Sequence, residues 1–230
     1  MISGAAPFPH SLRVQAIEWL GPERVYDFYG ATELGWVTTI SGREMIERPG
    51  SVGKPIGGCS VQILDSNKNP LPPRRVGLIY VRSSTSSAGY WNDPEATSKY
   101  RYRDYITVED LGYLDEDGYL YLQGRARDMI ISGGVNIYPA EVEEILDRHP
   151  AVKESAVVGI PDAEWGERVV AVIVPRSREV DPEELARYLR SHLASYKIPK
   201  EWHFWEELPR NALGKVLKRE IISRLSSPTA

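Results

Sequence analysis

The sequence predicts a mixed fold of more than one domain, α/β at its start and α+β at its end, on three observations. A helix–strand–turn rhythm opens the chain, as in an open α/β sheet. A middle stretch carries short strands at close spacing, as in a small β-barrel or sandwich. The last part, about a hundred residues, alternates helices with β-rich runs on the scale of an independent unit. At 230 residues the chain is long enough to bury a proper core. Its 42% hydrophobic and 26% charged residues are ordinary for a soluble globular protein.

Composition excludes several function classes. A net charge of −4 makes no electrostatic case for nucleic acid. Cys59 stands alone, which rules out an intrachain disulfide and points to a reducing compartment. No apolar run approaches a membrane span, and no basic-then-hydrophobic leader opens the chain, so a cytoplasmic location is expected.

Taken in order, Ile2 to Pro7 reads as a strand end entering a tight turn, with no earlier element to pair with. Residues 10–20 place Leu12, Ala16, Ile17 and Leu20 on one helical face, ending at Gly21-Pro22. Val25 to Tyr29 is a strand running into the turn Tyr29-Gly30-Ala31-Thr32-Glu33. From Gly50 the glycines and Pro55 break any helix; Val61–Leu64 and Gly77–Arg82 then read as strands. Asp117-Gly118 centres a hairpin over 112–122. Further on, a helix spans Pro139 to Arg148, with Pro139 in its first turn and Val142, Ile145 and Leu146 inward. Ala151–Ile160 and Arg168–Pro175 are β-rich. Asp181 to Glu184 reads as a capping box opening a helix through Leu193. A short strand at Trp202–Trp205 and a last helix carrying Leu217, Ile221 and Leu225 complete the chain.

Between the strand-rich middle and the final unit lies Gly124 to Pro139, GRARDMIISGGVNIYP. Charged groups beside paired glycines, between two apolar blocks, suggest a joint between domains. Taken alone, the stretch also reads, and more simply, as a linker followed by a hairpin.

Common catalytic signatures are absent. His10, His149, His192 and His203 have no metal-ligand spacing. Gly214-Lys215 is not a phosphate-binding Walker loop, because Pro209 sits where the first glycine belongs and Val216 replaces Ser or Thr. Pro49 denies Gly50 to Gly53 the form of a nucleophile elbow. Asp115 to Gly118 lacks the alternating oxygens of a calcium loop, and no dinucleotide fingerprint occurs. Four features remain. Thr32-Glu33, at a strand-end turn, offers a hydroxyl for a phosphate and a carboxylate for Mg²⁺, which takes few carboxylates plus phosphate oxygens. Asp110 suits the hydroxyls of a ribose, and Arg125 presents a fork of donors to ribose or phosphate oxygens. Lys215 is a mobile cation able to offset the repulsion between a carboxylate and a phosphate. Each reads more simply as an ordinary surface residue when taken singly.

Together their order and spacing point one way. SGAAP at 3–7, YGATE at 29–33, GYWNDPEAT at 89–97, VEDLGYLDEDGYLYLQGRARDMIISGGVNIYPAEVE at 108–143, HPAVKESAVVGIPDAEWGE at 149–167 and LPRNALGK at 208–215 follow one another along the chain. This ordered set resembles the carboxyl-terminal half of the adenylate-forming (AMP-binding) superfamily, most of all its acyl- and aryl-CoA synthetases. The resemblance covers essentially the whole chain. It implies the end of a large AMP-binding α/β domain over 1–60, a small β-barrel subdomain over 61–124, a hinge over 125–127 and a mobile C-terminal α+β domain over 128–230.

The resemblance also implies roles. Gly4 and Ala5 line the adenine and acyl pocket through their backbone, and Tyr29 stacks on adenine. Thr32 meets the α-phosphate, Glu33 holds Mg²⁺, and Asp110 and Arg125 take the ribose hydroxyls. Arg127 falls at the hinge position, where the family usually has Asp or Lys. Gly134 lines the pantetheine tunnel, Lys215 is the adenylation lysine, and Trp36 to Thr39 border the acid. The family shows Thr-Gly-Asp where this chain has Val108-Glu109-Asp110, so Glu109 adds a charge at a glycine position. The implied function is that of an acid–thiol ligase: a carboxylic acid and ATP yield an acyl-adenylate, and coenzyme A takes the acyl group as a thioester. The implied partners are the acid, ATP or AMP with Mg²⁺, and CoA, and a separate N-terminal half stands as a candidate partner. The family's Ser/Thr/Gly-rich phosphate loop has no counterpart here, so the chain by itself is expected to be inactive or very weak in adenylation. A truncated fragment, a split subunit and a degenerate product all fit. The rival reading is a non-catalytic nucleotide- or CoA-binding or partner-docking module.

Overall fold

The structure is a computed structural model that describes residues 1–4, 8, 10–176, 180–212 and 214–226. The chain divides into two compact units, Met1–Arg127 and Asp128–Ala230. Each has its own sheet.

In the first unit, Ile2–Ser3 does find a partner: it lies parallel to Tyr26–Ala31, with the helix His10–Leu20 crossing between them. That crossover is the open α/β element the rhythm predicts. Ala16 and Ile17 pack against Val25, Ile40 and Met45. The rest of the expected apolar face does not follow, because Leu12 and Leu20 remain exposed. Tyr26–Ala31 then turns into the antiparallel strand Gly35–Ser41, which pairs with Ser51–Pro55.

The strands expected to form a small β-barrel over 61–124 do not close. Leu120–Arg125 pairs with Asp110–Leu114 on one side and Ser51–Pro55 on the other. Its second edge is therefore taken by the strands of the opening region, and the two regions merge into one ten-stranded sheet among the described residues. Tyr29, Leu34, Val37, Ile63, Ile79, Val81, Ile106 and Leu120 form the core beneath it.

A short helix, Gly42–Glu47, escapes the sequence reading. The Glu44 amide donates to the Ser41 hydroxyl, while the Ser41 amide donates to the Glu44 carboxylate, a complete capping box. At Asp181 only half of the expected box forms: its carboxylate accepts from the Glu183 amide at 2.9 Å, and the helix Pro182–Arg190 is shorter than predicted.

The second unit is built on Gly166–Pro175, antiparallel to Val152–Asp162 and parallel to Glu201–Phe204. Its near-continuous apolar run reflects burial on both faces. Val169, Ala171 and Ile173 face the helices Pro139–Leu146 and Pro182–Arg190, whereas Val170, Val172 and Val174 share a second core with Leu208 and with Ile221, the latter on the last helix Lys218–Ser226. Gly133-Gly134, with φ of +58° and +77°, joins Ile130–Ser132 to Val135–Ile137 in a two-residue hairpin.

Candidate functional site

Strand register decides where the charged groups of the first unit meet. Leu122 faces Gly112 across the pair, but Gly124 faces Leu111 and Arg125 faces Asp110, so one extra residue is absorbed between Leu122 and Gly124. Gly124 takes the φ of +103° that this bulge requires. Such an insertion re-aims every side chain beyond it. Arg125 Nε then lies 3.3 Å from Asp110 Oδ1. The Tyr29 hydroxyl donates to Asp110 Oδ2 at 2.8 Å.

Asp110 thus sits between a guanidinium and a phenol, with its side chain 15% exposed. Burial first, then the neighbouring Asp110 carboxylate, pushes the Tyr29 phenol well above its ordinary range. The phenol therefore stays protonated and continues to donate. Tyr29 is itself in the core cluster, only 7% exposed.

Three residues on from Tyr29 the chain turns at Thr32–Leu34, closed by the Leu34 amide donating to the Ala31 carbonyl. Gly30 is required there: a Cβ would meet the Gly35 carbonyl oxygen at 2.3 Å. Thr32 is exposed and Glu33 half-buried. Glu33 Oε1 accepts the Tyr90 hydroxyl at 2.8 Å, and its backbone carbonyl accepts the Ser87 amide at 2.8 Å. The Glu33 carboxylate pushes the Tyr90 phenol up to about 12. Tyr90 holds no place among the sequence-predicted residues, although it lies in the GYWNDPEAT block. No local pattern announces a tyrosine that closes on a carboxylate 57 residues away.

Among the described residues no group of three or more His, Cys, Asp or Glu is arranged to hold a metal ion. A single half-buried carboxylate beside a hydroxyl at a turn suits Mg²⁺ that arrives with phosphate oxygens, and does not suit an all-protein metal cage.

Gly4 lies beside the Phe28 ring, so close that a Cβ would meet it at 2.2 Å. Ala5 lies outside the described residues. Trp36 stacks at a tilt on Phe28, with ring centroids 4.6 Å apart, and its indole N–H donates to Thr39 Oγ1 at 2.9 Å. Arg127 is exposed in the helical turn Ala126–Asp128.

On the second unit, Lys215 is exposed at the end of a tight loop. The Lys215 amide donates to Asn211 Oδ1 at 2.9 Å and its carbonyl accepts the Asn211 amide at 3.0 Å. Arg210 pins the base, donating to the Gly214 carbonyl at 2.5 Å and pairing with Glu154. On that same unit the Gly133 amide donates to the Trp165 carbonyl at 2.8 Å, and Gly134 faces open space.

Residues 1–91 match the family model of AMP-binding enzymes, and residues 141–215 match that of the AMP-binding enzyme C-terminal domain. The chain belongs to the AMP-binding, adenylate-forming enzyme family. It is 43% identical over 222 residues to a 2-succinylbenzoate–CoA ligase of Bacillus mycoides, covering 96% of this chain and 45% of that protein. The chain therefore spans about half the length of the curated relatives it matches. Among solved structures it superposes on the amide bond synthetase McbA of Marinactinospora thermotolerans with a TM-score of 0.93 at 33% identity, over 98% of this chain and 47% of that one. The o-succinylbenzoate CoA synthetase MenE of Bacillus subtilis, in complex with AMP, matches with a TM-score of 0.84 at 36% identity, over 96% and 45%. No helix among the described residues is long and apolar enough to cross a membrane.

Proposed function

We propose that this chain serves an AMP-forming acid–CoA ligase, in which a carboxylic acid is activated by ATP to an acyl-adenylate and passed to the thiol of coenzyme A. The observation that carries this reading is the Tyr29–Asp110–Arg125 constellation beside the Thr32–Glu33 turn, within a chain of this family. Asp110 and Arg125 bind the ribose hydroxyls, and Tyr29 fixes the Asp110 carboxylate while its ring borders the adenine. Gly4 lines the same pocket through its backbone. Thr32 donates to the α-phosphate. Glu33 would hold Mg²⁺, which offsets phosphate charge when bound. Lys215 bridges the two anions as the carboxylate attacks the α-phosphate, a task suited to a mobile point charge. Gly134 lines the pantetheine path in the second half-reaction, and Arg127 acts as the hinge between the two. The acids of the relatives point to an aryl or acyl carboxylate as substrate class.

Acid-dependent ATP–pyrophosphate exchange, beside calorimetric titration of AMP, tests this. Lys215→Ala is expected to lower exchange at least a hundredfold in the active protein, with AMP affinity held within a few-fold, since the lysine acts on the transition state. Exchange untouched by that substitution overturns the assignment. AMP bound with no exchange, even after the chain is combined with a phosphate-loop-bearing N-terminal half, would mark a nucleotide-binding module instead.

A further inference from the structure

The GYWNDPEAT block has a conspicuous sequence and, in the reading above, no task. Its placement supplies one. Residues 84–101 run as a strap beside the Thr32–Leu34 turn and hold it twice, once through the backbone and once through a side chain. The Ser87 amide donates to the Glu33 carbonyl at 2.8 Å, and the Tyr90 hydroxyl donates to Glu33 Oε1 at 2.8 Å.

The strap is itself tied down at each end of this grip. Arg101 donates to the carbonyls of Ser87 and Ala88 at 3.1 and 2.9 Å. The Tyr90 amide donates to Thr97 Oγ1 at 2.9 Å, and that hydroxyl donates onward to the Asp93 carbonyl at 2.8 Å. Asp93 caps the helix Pro94–Lys99 through the Ala96 amide at 2.9 Å. The Tyr90 ring also meets Tyr100 edge-on, with centroids 5.9 Å apart. Tyr90 is 41% exposed, so water competes for its hydroxyl; the bond to Glu33 exists because the backbone and the ring are both held in position.

From this geometry we infer that Tyr90 is a positioning residue that orients the Glu33 carboxylate toward the metal-bearing phosphates. The inference rests on the reading of Glu33 as the Mg²⁺ residue. Held by one oxygen, a carboxylate loses the rotamer freedom that a metal would otherwise have to remove, and this strengthens metal retention without touching the nucleotide base or ribose. The strap thereby acquires its role: its capped helix and its hydrogen-bonded loop fix the point from which the tyrosine reaches.

The test uses the full chain, Mn²⁺ as an electron-spin-resonance probe and the non-hydrolysable ATP analogue AMP-PNP. The loss of free-Mn²⁺ signal in excess of that caused by AMP-PNP alone reports metal retained in the ternary complex, and AMP affinity without metal is measured in parallel. Tyr90→Phe keeps the ring and deletes the hydroxyl; it is expected to weaken Mn²⁺ retention about tenfold while metal-free AMP affinity stays within about twofold. Glu33→Gln is expected to weaken retention at least as much, and the double substitution no further than Glu33→Gln alone. Thr97→Val, which loosens the Tyr90 backbone, should give an intermediate loss. Wild-type retention in Tyr90→Phe, an equal loss of metal-free AMP affinity, or additive effects in the double variant would each overturn the positioning role. Unchanged retention in Glu33→Gln, or none by a wild-type chain that binds AMP, overturns instead the metal reading on which the inference stands.

Discussion

Glu109 holds a left-handed backbone conformation, φ +62°, one residue before Asp110. Its amide donates to Thr107 Oγ1 at 3.0 Å and its carbonyl accepts the Ala126 amide at 2.9 Å, so the conformation is fixed from both sides. The resemblance read from the sequence implies glycine at this position, and the dihedral accounts for it: a Cβ there costs about 1 kcal/mol. Glu109→Gly is therefore expected to raise unfolding free energy by about 1 kcal/mol, less the entropy that glycine adds to the unfolded chain. A higher urea midpoint at unchanged slope is the check; a lower midpoint would show that the glutamate side chain contributes more than its backbone costs. Asp110 itself is legible in the sequence as an acid suited to the hydroxyls of a ribose. That Tyr29 donates to Asp110 across 81 residues is not, because hydrogen-bond partners at that separation follow from strand register.

Elements tell a similar story. The Gly-Gly hairpin, the Asp117-Gly118 turn and the proline-led helix Pro139–Leu146 were legible because each has a local steric cause. The helix Gly42–Glu47 was missed because its apolar content is too short to show a period, although Ser41 and Glu44 stand at the spacing of a capping box. Where the helix Pro139–Leu146 ends, Asp147 accepts the Ser155 hydroxyl at 2.8 Å, tying helix to strand. Burial pushes the Asp147 carboxyl up to about 6, and the Glu143 and Glu154 carboxylates push the same way, against the Ser155 hydrogen bond. In the unfolded chain the group returns to its ordinary value near 3.8. Between those two values the unfolded state has lost the proton that the folded state still binds, so stability falls as pH rises from about 4 to about 6 and is level above that. The contribution of Asp147 to stability is expected to fall by about 2 kcal/mol across this window, a figure reduced for the part of the group that water reaches, and it is read as the difference between the profiles of the wild-type chain and Asp147→Asn. Asp147→Asn should remove most of that slope and be the more stable form near neutral pH. Urea unfolding of both proteins across the window decides it; parallel pH profiles would place the cost of burial elsewhere.

For the whole molecule, the second unit has what an independent domain needs. Its central strand Gly166–Pro175 is buried on both faces, against two helices on one side and the terminal helix on the other. Residues 128–230 expressed alone are accordingly expected to unfold in one cooperative urea transition, followed through the fluorescence of Trp165, Trp202 and Trp205. A gradual transition with no near-ultraviolet circular dichroism would refute this. The first unit resists such a division. The expected barrel never closes, because Leu120–Arg125 gives its free edge to Ser51–Pro55, and strand pairing of that range leaves no local mark. By itself, the sequence determined the kinds of element, their order and the family, because caps, turn glycines, apolar period and ordered motifs are each written within a few tens of residues. Tertiary structure alone decided that a bulge at Gly124 turns Arg125 onto Asp110, and that Tyr90 closes on Glu33. The physical reason is that strand register and side-chain reach are settled by packing among segments far apart in the chain, after every local preference has been met.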